Sequence, residues 1–178
     1  NWAYLPYGPF ADLKCYHSWV RENQGLENPV FLTIVEKESG RPLGIASYLR
    51  IHPAEGSIEV GHIHFSPLLQ RTTSATESMF LMMQWAFEAG YRRYEWKCNA
   101  LNQASRRAAQ RLGFSFEGIF RQMMIVKGRN RDTAWFAAID SEWPALKTAF
   151  ECYLDEKNFD EEGKPVTSLS SLTAPLLH

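Results

Sequence analysis

The stretch Ser57-Ile58-Glu59-Val60-Gly61-His62-Ile63-His64-Phe65 decides the fold of this 178-residue chain, together with the loop and the apolar run that follow it. Their β-rich pattern predicts a strand over residues 57–65. From Thr76 to Ala89 a broad apolar stripe predicts a helix, and residues 91–98 have the pattern of a second, short strand. A strand, a helix and a strand in this order predict two neighbouring parallel strands joined by a right-handed crossover.

Antiparallel elements are expected on both sides of this unit. The β-rich runs 30–35 and 43–51 flank the turn Ser39-Gly40-Arg41-Pro42 and predict a hairpin. Further elements are predicted as a short amphipathic helix from Phe10 to about Gln24-Gly25, a helix over 103–112, strands over 116–126 and 133–139, and a helix over 143–154. The predicted fold class is therefore α/β or α+β with a mixed sheet. Little apolar periodicity follows Glu156, so we expect an extended tail there.

Composition favours one globular domain in the cytoplasm. Hydrophobic residues make up 45% of the chain and charged residues 22%, close to the soluble average, which excludes a disordered or fibrous protein. No apolar run reaches the roughly 18 residues that a membrane span needs, and Asn1-Trp2-Ala3-Tyr4 lacks the features of a secretion signal. Three widely spaced cysteines (Cys15, Cys98 and Cys152) favour reduced thiols.

The net charge of −1 conceals a strong division along the chain. Residues 91–131 carry a net charge of +8, whereas residues 1–90 carry −3 and residues 132–178 carry −6. A basic middle segment indicates an anionic partner, such as a phosphorylated cofactor, or a solvated face paired with the acidic segments. Nucleic acid is not expected, because Trp96, Phe114 and Phe116 are not interleaved with exposed basic residues.

The loop Pro67–Glu77 has the chemistry of a phosphate site. Ser74 and Glu77 stand three residues apart before the apolar helix, which is the spacing of a capping box. The start of a helix after a strand presents free N–H groups and the positive end of the helix dipole. Arg71 and the hydroxyls of residues 72–74 add donors. The alternative is a capped helix that binds nothing.

Within this loop, Gln70-Arg71-Thr72-Thr73-Ser74-Ala75 resembles the acyl-CoA loop Q/R-x-x-G-x-G/A of the GNAT-type N-acetyltransferases, with Thr73 where glycine is usual. The branch that the chain resembles contains the ribosomal-protein N-terminal (alanine/serine) acetyltransferases. The other matching stretches are Glu59-Val60-Gly61-His62, Asn102–Ala109, Leu112-Gly113-Phe114, Glu117-Gly118, Gly128–Thr133 and Asp140–Pro144. The resemblance implies an acetyltransferase domain over residues 1–154 that lacks the family's first strand and helix, followed by a tail over 155–178.

The resemblance further implies that the central parallel strands splay apart and that acetyl-CoA, the co-substrate, lies between them. No metal is expected, because His62 and His64 have no third ligand at a convincing spacing. Backbone groups at residues 64–66 are expected to pair with the pantetheine arm. The cofactor-binding residues implied in this way are Phe65, Ser66, Gln70, Arg71, Thr72, Thr73, Ser74, Ala75, Thr76, Asn99, Asn102, Ser105 and Arg106.

Four residues are candidates for catalysis: Ser105, Glu59, His62 and His64. Ser105 resembles the serine proposed in this branch to protonate the leaving thiolate; its alternative role is a polar residue in the first turn of a helix. Glu59, His62 and His64 are candidates for the base, and alternation predicts the two histidines on one face and Glu59 on the other. The alternative for the histidines is partly buried packing.

The favoured function is transfer of an acetyl group from acetyl-CoA to a primary amine, by direct attack on the thioester. The acceptor is a protein N-terminus or a small-molecule amine, bound by residues 1–25 and 126–132. The alternative is an acyl-CoA-binding module without catalysis. Aromatic residues at Trp2, Tyr4 and Tyr7 favour a homodimer, although missing N-terminal elements would account for them equally.

Overall fold

The chain folds around a six-stranded mixed sheet in the order β1-β2-β3-β4-β6-β5, in a computed structural model that describes residues 2–178. Only β3 and β4 are parallel to each other; the other four pairings are antiparallel. The elements are α1 (Leu13–Asn23), β1 (Val30–Val35), β2 (Pro42–His52), β3 (Ser57–Phe65), α2 (Thr73–Glu88), β4 (Arg93–Asn99), α3 (Gln103–Arg111), β5 (Ser115–Val126), β6 (Arg129–Ile139), α4 (Trp143–Leu154) and α5 (Leu169–Thr173). The predicted fold class is confirmed.

The parallel pair at the centre of the sheet separates part of the way along. β3 and β4 are paired from Ser57 opposite Arg93 to Val60 opposite Trp96, and no further. Beyond Val60 strand β3 continues to Phe65, while β4 continues to Asn99. The two strands therefore leave a gap at their C-terminal ends, which confirms the predicted splay.

A β-bulge in β3 changes which side chains share a face. Ser47 of β2 lies opposite Gly61, but Ile45 lies opposite His64, so β3 carries one extra residue between them. His62 takes up the extra length with a φ of +51°. The bulge brings Glu59, His62 and His64 to the same face of the sheet. The prediction that Glu59 lies opposite the histidines is therefore wrong, because simple alternation does not include a bulge.

Helices α2 to α5 cover the other face and enclose the core with it. The buried side chains of the central strands, Ile58, Val60 and Tyr94 among them, form one cluster with Met83 of α2 and Phe150 of α4. This burial of apolar area is the main source of stability. No helix within residues 2–178 has the length and apolar character to cross a bilayer. The face that carries Glu59 is packed instead by α1 and the N-terminal segment, residues 2–10.

Helix α2 begins three residues before the predicted start. Its N-cap is Thr72, whose Oγ1 accepts from the backbone N–H of Ala75 at 3.1 Å. The capping box predicted for Ser74 and Glu77 is therefore wrong, since Ser74 lies in the first turn. Several adjacent hydroxyl residues compete for the cap position, and the sequence does not decide between them.

The C-terminal segment does not extend into solvent as predicted. It contains α5, in which Leu169 and Thr173 are buried against the rest of the chain. The Thr173 hydroxyl donates to the carbonyl of Arg111 at 3.1 Å, and the backbone N–H of His178 donates to Ser115 Oγ at 3.0 Å. A helix of five residues is too short to show an apolar period, which is why the pattern missed it.

Candidate active site

The gap between β3 and β4 lies beside the loop that leads into α2. The carbonyl of Phe65 accepts from Gln70 Nε2 at 2.7 Å, and the N–H of Ser66 donates to the carbonyl of Leu43 at 2.8 Å. These two main-chain groups, which were expected to pair with the pantetheine arm, have partners within the protein. The Ser66 hydroxyl is the exception, because it is buried without a hydrogen-bond partner in residues 2–178.

The N-terminal turn of α2 is open to solvent near the end of this gap. Arg71 has a φ of +65° and, like Ser74, is exposed. Thr72 closes the loop by donating to the carbonyl of Leu69 at 2.7 Å. Thr76 is buried, and its hydroxyl accepts from Arg111 at 3.0 Å. Of the loop residues predicted from the sequence, those at 71–74 thus lie at the open end, whereas Thr76 packs inward, as does the buried Ala75.

The first turn of α3 lies at the end of β4, beside the gap. Asn102 caps the helix by accepting from the N–H of Ser105 at 3.1 Å, and Asn99 Oδ1 accepts from the N–H of Leu101 at 2.9 Å. The Arg106 guanidinium contacts the carbonyl of Ala100 at 3.4 Å. These side chains, predicted from the sequence to bind cofactor, shape the turn that joins β4 to α3.

Ser105 faces two buried residues of β4. The indole N–H of Trp96 donates to Ser105 Oγ at 3.0 Å. Cys98 is also buried; burial raises the pKa of its thiol above the usual value, and the Ser105 hydroxyl opposes that rise. The thiol is therefore protonated at neutral pH. The contact between Trp96 and Ser105 was not predicted from the sequence, although their positions on β4 and in the first turn of α3 make it possible.

Both histidines of β3 lie in aromatic surroundings. His62 Nδ1 is 2.9 Å from Ser47 Oγ and its ring stacks on Phe31; burial, followed by the charge of Arg50, lowers the pKa of His62 to about 4. His64 stacks on Trp2 with ring centroids 4.2 Å apart, and its Nδ1 is buried without a partner in residues 2–178. Burial also lowers the pKa of His64. Both imidazoles are neutral at pH 7.

Glu59 is a buried carboxylate held by two cations. It is 3% exposed and contacts Arg50 Nη1 at 2.8 Å and Lys97 Nζ at 2.9 Å. Burial raises the pKa of Glu59, and the charges of Lys97 and Arg50 oppose that rise. Lys97 also bonds Glu95, the register partner of Glu59, at 2.7 Å. Lys97 was not among the site residues predicted from the sequence, although Glu95 and Lys97 alternate with apolar residues in β4 and could have indicated it.

The N-terminal segment is fastened over this face by one lysine. Lys127, in the turn between β5 and β6, donates from Nζ to the carbonyls of Trp2 at 2.8 Å, Tyr7 at 3.3 Å and Gly8 at 2.6 Å. The Trp2 ring in turn covers His64.

Within residues 2–178 no group of three or more His, Cys, Asp or Glu side chains has the arrangement of a metal site.

Comparison with known proteins defines the class to which this fold and site belong. Residues 2–115 match the family model of the acetyltransferase (GNAT) domain, which is more than half of the chain. The chain therefore belongs to the GNAT acetyltransferases and is an enzyme of the acetyltransferase class. None of the curated protein sequences compared with the chain matches it significantly.

Solved structures agree with this family. A GCN5-related N-acetyltransferase from Brucella melitensis has 46% identity and a TM-score of 0.94, over 97% of this chain and 79% of that chain. A protein from Chromobacterium violaceum ATCC 12472, named as a probable acetyltransferase of the GNAT family, has 46% identity and a TM-score of 0.77, over 81% of this chain and 73% of that chain. A candidate ribosomal-protein-serine acetyltransferase from Vibrio cholerae shares the fold at 18% identity, with a TM-score of 0.56, over 70% of this chain and 68% of that chain.

Proposed function

We propose that this enzyme transfers an acetyl group from acetyl-CoA to a primary amine by direct attack of the amine on the thioester. The observation that carries the proposal is the gap between β3 and β4, which opens after Val60 and Trp96. It has the open N-terminus of α2 on one side and Ser105 of α3 on the other. The turn that suits a phosphate and two of the catalytic candidates, His64 and Ser105, therefore all lie around this gap.

The residues around the gap fit acetyl-CoA. The free N–H groups in the first turn of α2, together with exposed Arg71 and Ser74, suit the pyrophosphate. The unpartnered Ser66 hydroxyl offers a hydrogen bond to the pantetheine arm, and Asn99 and Asn102 lie at the opposite edge of the gap. The hydroxyl of Thr73 adds a donor where the family usually has glycine.

Acetyl-CoA supplies a thioester whose carbonyl carbon is the electrophile. We assign His64 as the base that takes the proton from the acceptor's ammonium group, because its Nδ1 is buried without a protein partner and its ring is neutral. The other two candidates already have partners: His62 contacts Ser47, and Glu59 is paired with two cations. When the amine nitrogen bonds to the carbonyl carbon and the C–S bond breaks, Ser105 gives its proton to the departing thiolate. Ser105 regains a proton from the bonded nitrogen, which loses its second proton as the amide forms.

The direct test measures acetylation of a panel of amines and N-terminal peptides with acetyl-CoA. Cys15 and Cys152 are exposed and would react with a thiol reagent, so the product is measured by mass rather than by thiol release. We expect a thermal shift with acetyl-CoA and turnover of at least one acceptor class. Binding of acetyl-CoA without turnover of any amine would leave the non-catalytic module, and an unchanged melting temperature would exclude both.

The base is tested separately by His64→Gln, with His52→Gln as the matched control because His52 is exposed and lies at the far end of the sheet. A neutral base is lost as pH falls through its pKa, which for His64 lies below 6.5. We expect kcat/KM of the wild type to fall on that acidic limb, and His64→Gln to lower the plateau and remove the limb. A limb that persists unchanged in His64→Gln contradicts the assignment.

The cellular location remains part of the proposal. All three cysteines, Cys15, Cys98 and Cys152, are free thiols in the structure. Free thiols persist in a reducing compartment. We therefore place the protein in the cytoplasm, which fractionation of cells producing the tagged chain would test.

A further inference from the structure

Strand β6 presents a row of hydrogen-bond donors on the face that carries Glu59. Arg131, Thr133 and Trp135 occupy alternate positions and therefore point to the same side of the sheet. Arg131 Nε, Thr133 Oγ1 and Trp135 Nε1 are each buried without a hydrogen-bond partner in residues 2–178. Arg131 Nε and Trp135 Nε1 can only donate, and the threonine hydroxyl can donate as well. The row therefore offers three donors, and no acceptor in residues 2–178 bonds to any of them.

Buried donors without acceptors are costly, at about 1–3 kcal/mol each. Such groups are rare in native proteins, and a bound ion or another ligand that supplies the missing partner is one reason for keeping them. A ligand group that accepts several hydrogen bonds and donates none satisfies a row of donors best. Carboxylates meet that description, and the planar guanidinium of arginine matches their geometry.

The row lies next to the gap between the splayed strands. Thr133 is the register partner of Asn99, the last residue of β4, and the N–H of Ala100 donates to the carbonyl of Asp132 at 2.8 Å. Arg131 is thus beside the end of β4, where the gap is widest. Further along β6, Trp135 is fixed between Lys97, 3.8 Å from its ring centroid, and Phe120, at 4.4 Å between centroids.

The charges on this face leave Arg131 without a counterion. Arg50, Lys97 and Arg93 are paired with the carboxylates of Glu59, Glu95 and Glu117. Arg131 forms no ion pair with any residue from 2 to 178, and its side chain is partly buried. One positive charge is therefore left over next to the gap, where it would repel a cationic ligand and attract an anionic one.

We propose that Arg131, with Thr133, binds a carboxylate of the acceptor, so that the substrate is an amine carrying a carboxylate near its amino group, as a free α-amino acid does. The inference rests on the proposed function and names the class of its acceptor. The carboxylate is held at the end of β4, and the amino group is directed into the gap, towards His64. Polyamines and other acceptors without an anionic group are disfavoured.

The test compares matched acceptors that differ only in this group: L-phenylalanine, L-methionine and L-glutamate, each against its C-terminal amide. We expect the wild type to favour the carboxylate by about 10-fold or more in kcat/KM, the equivalent of one strong charged hydrogen bond. Arg131→Gln should reduce that ratio to about one, mainly through KM, and Arg131→Lys should restore part of it. Arg92→Gln is the control, because Arg92 is an exposed arginine just before β4, at the end of that strand away from the gap.

The carboxylate could also come from the side chain of an acidic residue at a peptide's N-terminus. Peptides that begin with Asp or with Asn test this second source. A preference for the Asp peptide that disappears in Arg131→Gln supports carboxylate binding and assigns the carboxylate to an acidic N-terminal residue. Two results overturn the proposal. One is equal kcat/KM in the wild type within both comparisons, the free amino acids against their amides and the Asp peptide against the Asn peptide. The other is a preference that Arg131→Gln leaves unchanged.

A binding measurement separates this inference from the proposed function. Calorimetric titration of the same acids and amides, with CoA present, requires no turnover. If no amine is acetylated, the proposed function fails, and the titration still decides whether Arg131 prefers carboxylates. Far-UV circular dichroism and melting curves show whether each variant is folded, and Arg131→Lys carries the comparison if Arg131→Gln is not.

Discussion

The indole N–H of Trp96 donates to Ser105 Oγ across 3.0 Å, which joins the central strand β4 to the first turn of α3. Trp96 is 6% exposed, so its N–H needs this acceptor. Because the hydroxyl oxygen accepts from the indole, the Ser105 proton is directed elsewhere. This arrangement suits a residue that donates a proton to a departing thiolate.

Ser105→Ala tests this role. We expect kcat to fall about 100-fold, within the usual range for losing a general acid, while the Kd for acetyl-CoA changes little. Steady-state kinetics and calorimetry measure the two quantities. Ser78→Ala is the control, since Ser78 is also a partly buried helical serine and donates to the carbonyl of Ala75 at 2.9 Å, away from the gap. Unchanged turnover in Ser105→Ala would remove Ser105 from the mechanism.

Trp96→Phe tests the positioning of the same hydroxyl. The substitution keeps an aromatic ring in the core but removes the N–H. The hydrogen bond that orients the Ser105 hydroxyl, worth about 1 kcal/mol, is lost with it. We expect a decrease in kcat of about five-fold with an unchanged KM for acetyl-CoA. Once Ser105 is already alanine, Trp96→Phe should have no further effect on kcat; an additive loss in the double variant would show that Trp96 acts independently of Ser105.

Lys127→Met should loosen the N-terminal segment. Three carbonyl contacts from Nζ to residues 2–8 are lost, but they are exposed, so we expect the free energy of unfolding to fall by only about 1 kcal/mol. Because Trp2 stacks on His64, KM for the amine should rise several-fold while the Kd for acetyl-CoA is retained. Lys157→Met, in an exposed position near the C-terminus, is the comparison; equal kinetics in both variants would contradict this role.

Thr72→Ala should weaken both the helix and the cofactor site. The threonine hydroxyl caps α2 by accepting from Ala75 and also donates to the carbonyl of Leu69. Losing an N-cap costs about 1 kcal/mol, so we expect that loss in urea unfolding together with a higher Kd for acetyl-CoA. Thr72→Ser should restore both, and Thr148→Ala, which removes a hydroxyl from exposed α4 surface, should change neither. A Kd that does not respond to Thr72→Ala would separate the cap from cofactor binding.

His62 should make stability depend on pH. The pKa of His62 is about 4 in the folded protein, against 6.5 when the ring is exposed. Its contribution to the free energy of unfolding is therefore present above pH 6.5 and is lost as the pH falls towards 4. One pKa unit corresponds to about 1.4 kcal/mol, and for this partly exposed ring we expect a total loss of about 2 kcal/mol. Urea unfolding between these two pH values measures it.

The comparison for this prediction is His62→Asn, because asparagine tolerates the positive φ of the bulge. The pH dependence of its unfolding free energy should be shallower than in the wild type. His17→Gln, on the exposed surface of α1, should leave the wild-type slope in place. Equal slopes in the wild type and His62→Asn would show that His62 does not titrate as a buried neutral group.

Most strands and helices were predictable because each carries its own period in the sequence. The hairpin of β1 and β2, the unit β3–α2–β4 and the helix α3 follow from local patterns. The start of α2 and the helix α5 did not follow. Adjacent hydroxyl residues obscure the cap at Thr72, and five residues are too few to show a helical period.

The sequence by itself determined the order of the strands and helices, the parallel central pair and the resemblance to the acetyltransferases, because these depend on spacing along the chain. Only the tertiary structure decided which side chains meet. The bulge that joins Glu59 to His62 and His64 depends on the register with β2. Arg131 has no counterion among residues 2–178, because Glu59 and Glu95 are already paired with Arg50, Lys97 and Arg93. Such pairings cross between strands, and no local pattern encodes them.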